Sequence, residues 1–479
     1  MEVMAFLSDI QESMKARRRT EAVEKIRHAI EKKSPLKTHW LMLAKMSLGL
    51  REVTLATECV DIMRQQTQRT VTSDIQRAGI YAEAGYLQRA LATAEPLTLQ
   101  QPDNPSIMHL CGTARAQLGD FSLADRYLRK VVGLAPHLGI SWLTLASFTD
   151  FSEDIELFQE LLDVADKYSE DDPINWMHYH YALGKALTDR DRLEDAVKAY
   201  EKGAKLMAQQ SKYKAAFDKR FVTDLQTYFS KQGMKAVPES RVKYNRAIAI
   251  LGLPRSGTTL LGQILSNHSA VVGAGETGAF GQACAHLSPQ DTMNFPAFMG
   301  RHGDAQAGID MITETYQSLT DVRYPGSGYV VDKSLNLNRL FGIWAKAVPQ
   351  GKAIYIRRKP EHIAWSCYKT AFRGGADWSW SKESIQTYIE NEISLLTHWE
   401  KCFPDRILTI SYEDLVTKTN NVMNRVYEHI GLEPEKSSYS PKGSRNPVLT
   451  SSLGQVSADV NDESIKRAKA AEPIFNTVF

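Results

Sequence analysis

The sequence predicts a chain in two parts: an all-α repeat array, then an open parallel α/β sheet with a P-loop-like turn. Three observations carry this. Ala22, Ala56, Ala90 and Ala124 stand at successive 34-residue intervals. After residue 246 the texture changes to short apolar runs alternating with amphipathic stretches, the signature of strand–helix units in a parallel sheet. At the change, the apolar run Ala247–Leu253 leads into Gly252-x-x-x-x-Gly257 and then into helical spacing from Thr258 to Asn267.

The array comes first. Pro102 and Pro136 share the 34-residue interval, as do Met108 and Trp142. This period, with a small residue in the second helix and a proline closing the unit, is that of tetratricopeptide repeats. A further unit at 180–204, with Leu183, Gly184, Ala196 and Tyr200, follows a four-residue slip, and Phe158 takes the small site of the unit before it. Such units stack into a superhelix whose concave face usually binds a peptide or protein partner, and a dimerisation platform or a rigid lid are equal readings of the sequence. Gln209 to Gly233 reads as one more helix. The expected domains are 1–232 for the array, 233–245 for a linker around Val237-Pro238, and 246–479 for the α/β part, each with its own core.

In the α/β part, strands are expected at 247–253, 328–332, 352–357 and 406–411. A helix should run from Pro360 to Phe372, and another should end at Ile430, closed by Gly431. Ligands of such sheets bind beyond the carboxyl ends of the strands. Arg255, Lys333 and Arg358 each follow a strand end, so all three are candidates to meet there.

Composition narrows the function. With 479 residues, 43% hydrophobic and 24% charged, the chain has a globular composition. A net charge of +2 gives no electrostatic reason to expect nucleic acid or a membrane surface. Five scattered cysteines without zinc spacing favour a reducing compartment. No apolar run reaches bilayer length and the first 19 residues lack a signal-peptide core, so the expected location is cytoplasmic. No metal motif is present, and His268 and His362 are expected on helix surfaces.

The turn itself points to chemistry. Its spacing is that of a Walker A loop, but Thr258 stands where the phosphate-binding Lys would be. The fixed charge is instead Arg255, whose fork suits a phosphate or sulfate group. Ser256, Gly257, Thr258 and Thr259 supply backbone and hydroxyl donors at a helix N-terminus. The loop is therefore suited to a phosphate ester more than to Mg-ATP.

Pro254-Arg-Ser-Gly-Thr-Thr-Leu-Leu261 resembles the 5′-phosphosulfate loop of sulfotransferases, which use 3′-phosphoadenosine 5′-phosphosulfate (PAPS) and release PAP. The continuation through Asn267-His268 to Gly275-Glu276-Thr277 is most similar to the branch with tyrosylprotein and repeat-bearing bacterial enzymes. The resemblance covers about residues 247–460. It implies Glu276 as general base, 21 residues after Arg255, and Lys333 beside the leaving phosphate. It also implies Arg358 and Ser366 at the 3′-phosphate, Ser452 near the phosphosulfate, and a hydroxyl-bearing acceptor. The segment Tyr412-Glu-Asp-Leu415 reads as structural, orienting arginines or capping a helix. Departures from the family pattern stand at Gly278, where tyrosylprotein enzymes carry an Arg near the acceptor, and at Lys359, Ser457–Asp459 and Ala468. Two other readings of the residues remain: an ATP-dependent phosphotransferase, and a non-catalytic repeat scaffold with a degenerate nucleotide site.

Overall fold

The computed structural model describes residues 2–230, 232–293, 295, 304–372, 374–435, 439–440, 465–466, 468–469 and 472. The first half is a run of antiparallel helix pairs. Second helices of the pairs begin at Arg19, Val53, Leu87, Phe121 and Ile155, each 34 residues after the last, and the next begins at Leu193 after the four-residue slip. The turns before the first four of these helices carry the same period, with positive φ at Arg17, Arg51, Gly85 and Gly119, and Asp191 has the same conformation before Leu193. Ala22, Ala56, Ala90, Ala124 and Ala196 are fully buried, because the paired helices approach closely there. Gly112 and Gly184 serve the same contact. A Cβ on Gly184 would stand 2.5 Å from the Tyr200 ring.

The described α/β residues form a five-stranded parallel sheet: β1 Ala247–Leu251, β2 Val271–Gly275, β3 Tyr329–Asp332, β4 Lys352–Arg357 and β5 Ile407–Ser411, in the order β2-β3-β1-β4-β5. β1 is buried along its whole length, and its alternate residues face two different cores. Ile248 and Ile250 pack with the helices Thr258–Ser266 and Thr419–Ile430. Ala247, Ala249 and Leu251 face the side that holds the helices Ala305–Arg323 and Leu337–Ala347. A strand buried on both faces needs such a continuous apolar run. Among the described residues no helix is long and apolar enough to cross a membrane.

Several elements differ from expectation. β2 (Val-Val-Gly-Ala-Gly) lies at the edge of the sheet and was not expected as a strand, since glycine weakens strand propensity. Gly273 is required there because the Tyr324 ring fills the space a Cβ would take. The helix expected over 209–233 is shorter, Ala215–Tyr228, because the repeat helix before it runs on to Gln210, and the helix to Ile430 is broken at Lys418. Pro360 starts its helix as expected, but it ends at Tyr368.

Each part has cores of its own, and a further core is shared between them. One cluster runs from Leu128 through Tyr181, Tyr200, Phe221 and Phe229 to β1. Val237 and Tyr244, in the expected linker, are buried, and Phe229 sits where a Cβ on Gly342 would be. Polar contacts reinforce the junction. Asp218 of the helix Ala215–Tyr228 pairs with Arg339 at 2.7 Å, and Arg339 pairs with fully buried Glu392 at 2.6 Å.

Candidate active site

The strand order makes a switch point between β1 and β4. The connection after β1 runs outward to β2, and that after β4 runs outward to β5. The loops leaving these two neighbours therefore diverge and open a crevice at their carboxyl ends. Gly252–Gly257 lines one side, and Arg358 with the helix Pro360–Tyr368 lines the other.

Asn338 clamps the start of the loop. Its Oδ1 accepts from the Gly252 amide at 3.1 Å, and its Nδ2 donates to the Gly252 carbonyl at 2.9 Å. Nδ2 also donates to Glu392 at 2.9 Å, so the network that reaches Asp218 ends on the loop. At the loop's far end Gly257 has φ 105° and caps the helix Thr258–Ser266. A Cβ on Gly257 would lie 2.4 Å from the Tyr412 ring, so glycine is needed both for φ and for space. Arg255 itself has φ 67°, a left-handed conformation that costs roughly 1–3 kcal/mol in a residue with a side chain and persists where its surroundings fix it.

Two guanidiniums converge here. Arg255 Nε donates to Ser366 Oγ at 2.9 Å, and Arg358 Nη1 donates to the Arg255 carbonyl at 2.9 Å. Arg358 also lies over the Tyr412 ring, 4.4 Å from its centroid. Burial pushes the affinity of both arginines for their protons down, and Arg358 adds to that effect at Arg255. The Cys367 thiol between them is pushed up to about 12 by burial, against the pull of both charges. Ser256 Oγ and Arg358 Nε are buried without a hydrogen-bond partner among the described residues. Buried cationic and polar groups left this way favour an anionic ligand.

Across the loop, Lys333 Nζ donates to Glu276 Oε1 at 3.0 Å and lies 3.4 Å from Thr259 Oγ1. β2 and β3 are paired so that Gly275 stands beside Asp332, which sets the residues after each strand, Glu276 and Lys333, side by side. Lys333 is almost wholly buried, whereas Glu276 is 39% exposed. Buried Asp332 holds the backbone behind them. It accepts from the Ser334 amide at 3.0 Å and hydroxyl at 2.6 Å, and from Tyr316 at 3.0 Å. Ser334 Oγ in turn accepts from the Gly278 amide at 2.9 Å. Burial raises the Asp332 carboxyl above its ordinary value, against these hydrogen bonds.

The structure thus brings together Arg255, Ser256, Gly257, Thr258, Thr259, Glu276, Lys333, Arg358 and Ser366. Ser452 and Ser457–Asp459 lie outside the described residues. Ser366 meets Arg255, where the sequence had grouped it with Arg358, because β1 and β4 are adjacent and parallel and their following segments run side by side. His268 and His362 are buried rather than on helix surfaces. His268 Nε2 lies 2.9 Å from the Glu433 carbonyl, and His362 Nε2 lies 3.2 Å from Glu472. Asn338, Asp332, Ser334 and the aromatic role of Tyr412 escaped the sequence, since nothing local marks a residue that acts by holding a distant loop.

Residues 247–436 match the family model described as the sulfotransferase family. Over almost its whole length the chain is 21% identical to an uncharacterized protein of Aquifex aeolicus (strain VF5), with 94% of this chain covered and 60% of that protein, so the chain spans about three-fifths of that relative. The sulfotransferase domain of the Synechococcus PCC 7002 olefin synthase overlays with TM-score 0.32 at 19% identity, covering 49% of this chain and 97% of that one. A sulfotransferase of Mycobacterium tuberculosis H37Rv gives 0.28 at 13% identity, with 70% and 98% covered. The segment that holds the crevice between β1 and β4 is thus the one that matches the sulfotransferase family model.

Proposed function

We propose that the chain is a PAPS-dependent sulfotransferase that moves a sulfuryl group to a hydroxyl acceptor. The observation that carries this is the convergence of two buried guanidiniums, Arg255 and Arg358, on a loop that lacks the Walker lysine. Donors at one loop and helix N-terminus suit the 5′-phosphosulfate: Arg255, Ser256, Thr258, Thr259 and the amide of Gly257. Arg358 suits the 3′-phosphate, and Ser366, which holds the Arg255 side chain, is assigned to the same group by resemblance alone. Ser452 is assigned to the phosphosulfate by resemblance alone.

In the reaction a bond forms between the acceptor oxygen and sulfur as the bond from sulfur to the bridging oxygen breaks, and PAP leaves. Transfers of this type depend on in-line positioning and on cations at the developing charge. Lys333 stands next to the loop and offsets charge on the leaving phosphate. Glu276, paired with Lys333 and still open to solvent, takes the acceptor proton. The helical half is proposed to be a tetratricopeptide superhelix, a further surface for a peptide or protein partner, as in other repeat arrays.

The test is ligand linkage. A nucleotide bound only by the folded state raises thermal stability. PAP is expected to raise the Tm of the full chain more than AMP or Mg-ATP does. A larger shift with Mg-ATP overturns the proposal in favour of a phosphotransferase. Absence of any nucleotide shift leaves the scaffold reading.

A further inference from the structure

One charged network crosses from the helical half to the loop after β1. Asp218, on the helix Ala215–Tyr228, is 4% exposed, and Glu392, on the helix Lys382–Cys402, is fully buried. The two carboxylates share one guanidinium. Arg339 Nη1 pairs with Asp218 Oδ1 at 2.7 Å, and Arg339 Nε donates to Glu392 Oε1 at 2.6 Å. The rings of Phe221, from the helical half, and Tyr388, from the α/β half, lie 5.5 and 5.2 Å from the guanidinium carbon.

This split differs from the usual fork, in which two guanidinium nitrogens meet the two oxygens of one carboxylate. Here the second oxygen of each carboxylate is taken. Asp218 Oδ2 accepts from Asn391 Nδ2 at 2.9 Å and from Tyr213 OH at 3.0 Å. Glu392 Oε2 accepts from Asn338 Nδ2 at 2.9 Å. Arg339 Nη2 is left buried, without a hydrogen-bond partner among the described residues. Nε and Nη2 are the two nitrogens of a side-on pair, so Glu392 Oε2 is the acceptor that Nη2 lacks. Asn338 and Arg339 therefore compete for that oxygen. Asp218, by holding Nη1, keeps it with Asn338.

The outcome of this competition reaches the anion site. Asn338 holds both the amide and the carbonyl of Gly252. Gly252 is closely fitted in turn: a Cβ there would stand 2.7 Å from Ser256 Oγ and 3.0 Å from the side chains of Ile356 and Thr258. Ser256 Oγ is the buried hydroxyl that has no partner among the described residues. A shift of Gly252 thus displaces the donors assigned to the 5′ group.

We propose that Asp218 is a positioning residue for nucleotide binding: through Arg339, Glu392 and Asn338 it fixes Gly252, so that a residue of the helical half sets the affinity of the loop after β1. This rests on that loop being the 5′-anion site of a nucleotide.

The test is a double-mutant cycle in the full chain, with PAP affinity read by calorimetry. Asp218→Asn keeps the shape of the side chain and removes its charge, and it should weaken PAP about fivefold or more. Asn338→Ala should weaken PAP at least as much. Adding Asp218→Asn to Asn338→Ala should then change affinity by less than about twofold, because the path is already cut. Glu201→Gln is the control. Glu201 pairs with Lys382 at 2.7 Å across the same junction, on the helix that carries Glu392, and its loss should leave PAP affinity unchanged. Additive losses in the cycle overturn the proposal. So does an equal loss in Glu201→Gln, or wild-type affinity in Asp218→Asn. Hydrogen exchange of residues 252–258 without nucleotide is the second reading. Exchange should quicken in Asp218→Asn and not in Glu201→Gln, and equal rates overturn the proposal. Should Asp218→Asn not fold, Tyr213→Phe, which removes one hydrogen bond to Asp218, takes its place with an expected loss of about twofold or more. If the wild type fails to bind PAP, the sulfotransfer reading falls by itself, while exchange of the loop still reports on Asp218.

Discussion

In the helical half, residues that do the same job stand 34 positions apart; in the α/β half, residues that do one job stand far apart with no fixed interval. Ala22, Ala56, Ala90 and Ala124 each close a helix pair. Arg255, Glu276, Lys333 and Arg358 each follow a different strand and meet because five strands are laid in one order. A repeat is built by contacts within and between neighbouring units, so its rules are written locally. A crevice at a switch point is built by topology, and its residues acquire a role only when neighbouring strands are paired.

The contrast can be broken from either side. The largest effect is expected in the dispersed site. Glu276→Gln keeps size and hydrogen bonding but cannot accept the acceptor proton, so turnover should fall roughly 10²–10⁴-fold. PAP affinity should stay near the wild-type value, because the donor phosphates are assigned to Arg255 and Arg358. Steady-state transfer and PAP titration on the same preparation check this, and near-full turnover in a folded Glu276→Gln chain contradicts the assignment.

A smaller effect is expected in the periodic half. Gly184→Val drives a side chain into the fully buried Tyr200 ring, and overpacking of that kind costs about 1–3 kcal/mol. Since Tyr200 belongs to the cluster that continues to β1, one cooperative transition should shift to lower temperature, read by circular dichroism and tryptophan fluorescence together. Two separated transitions would show that the halves unfold independently despite their shared core.

Legibility follows the same division. The register of the helix pairs, the phosphate-type loop, four strands and the Gly431 cap were visible because each has a local cause: period, turn chemistry, or an apolar run. β2 was hidden by its glycines, whose reason is the ring of Tyr324 some fifty residues later. The shared core was hidden because the polar, proline-containing stretch around Val237-Pro238 resembles a linker, while the burial of Val237 and Tyr244 depends on what packs over them. In the site, the charged and hydroxyl groups of the loop could be named from spacing. Asn338, which holds Gly252 by both its amide and its carbonyl, could not.

The central claim is that the crevice between β1 and β4 reads a nucleotide with anions at both its 5′ and 3′ positions. The most direct measurement is a calorimetric cycle with PAP and AMP, which differ by the 3′-phosphate, on the wild type and on Arg358→Gln. A hydrogen bond to a charged group contributes about 1.5–3 kcal/mol, so PAP should bind the wild type roughly 10- to 150-fold more tightly than AMP. In Arg358→Gln that ratio should collapse to within a few-fold, while AMP affinity changes little. The same PAP-to-AMP ratio in both proteins, or a wild type that does not distinguish the two nucleotides, contradicts the account.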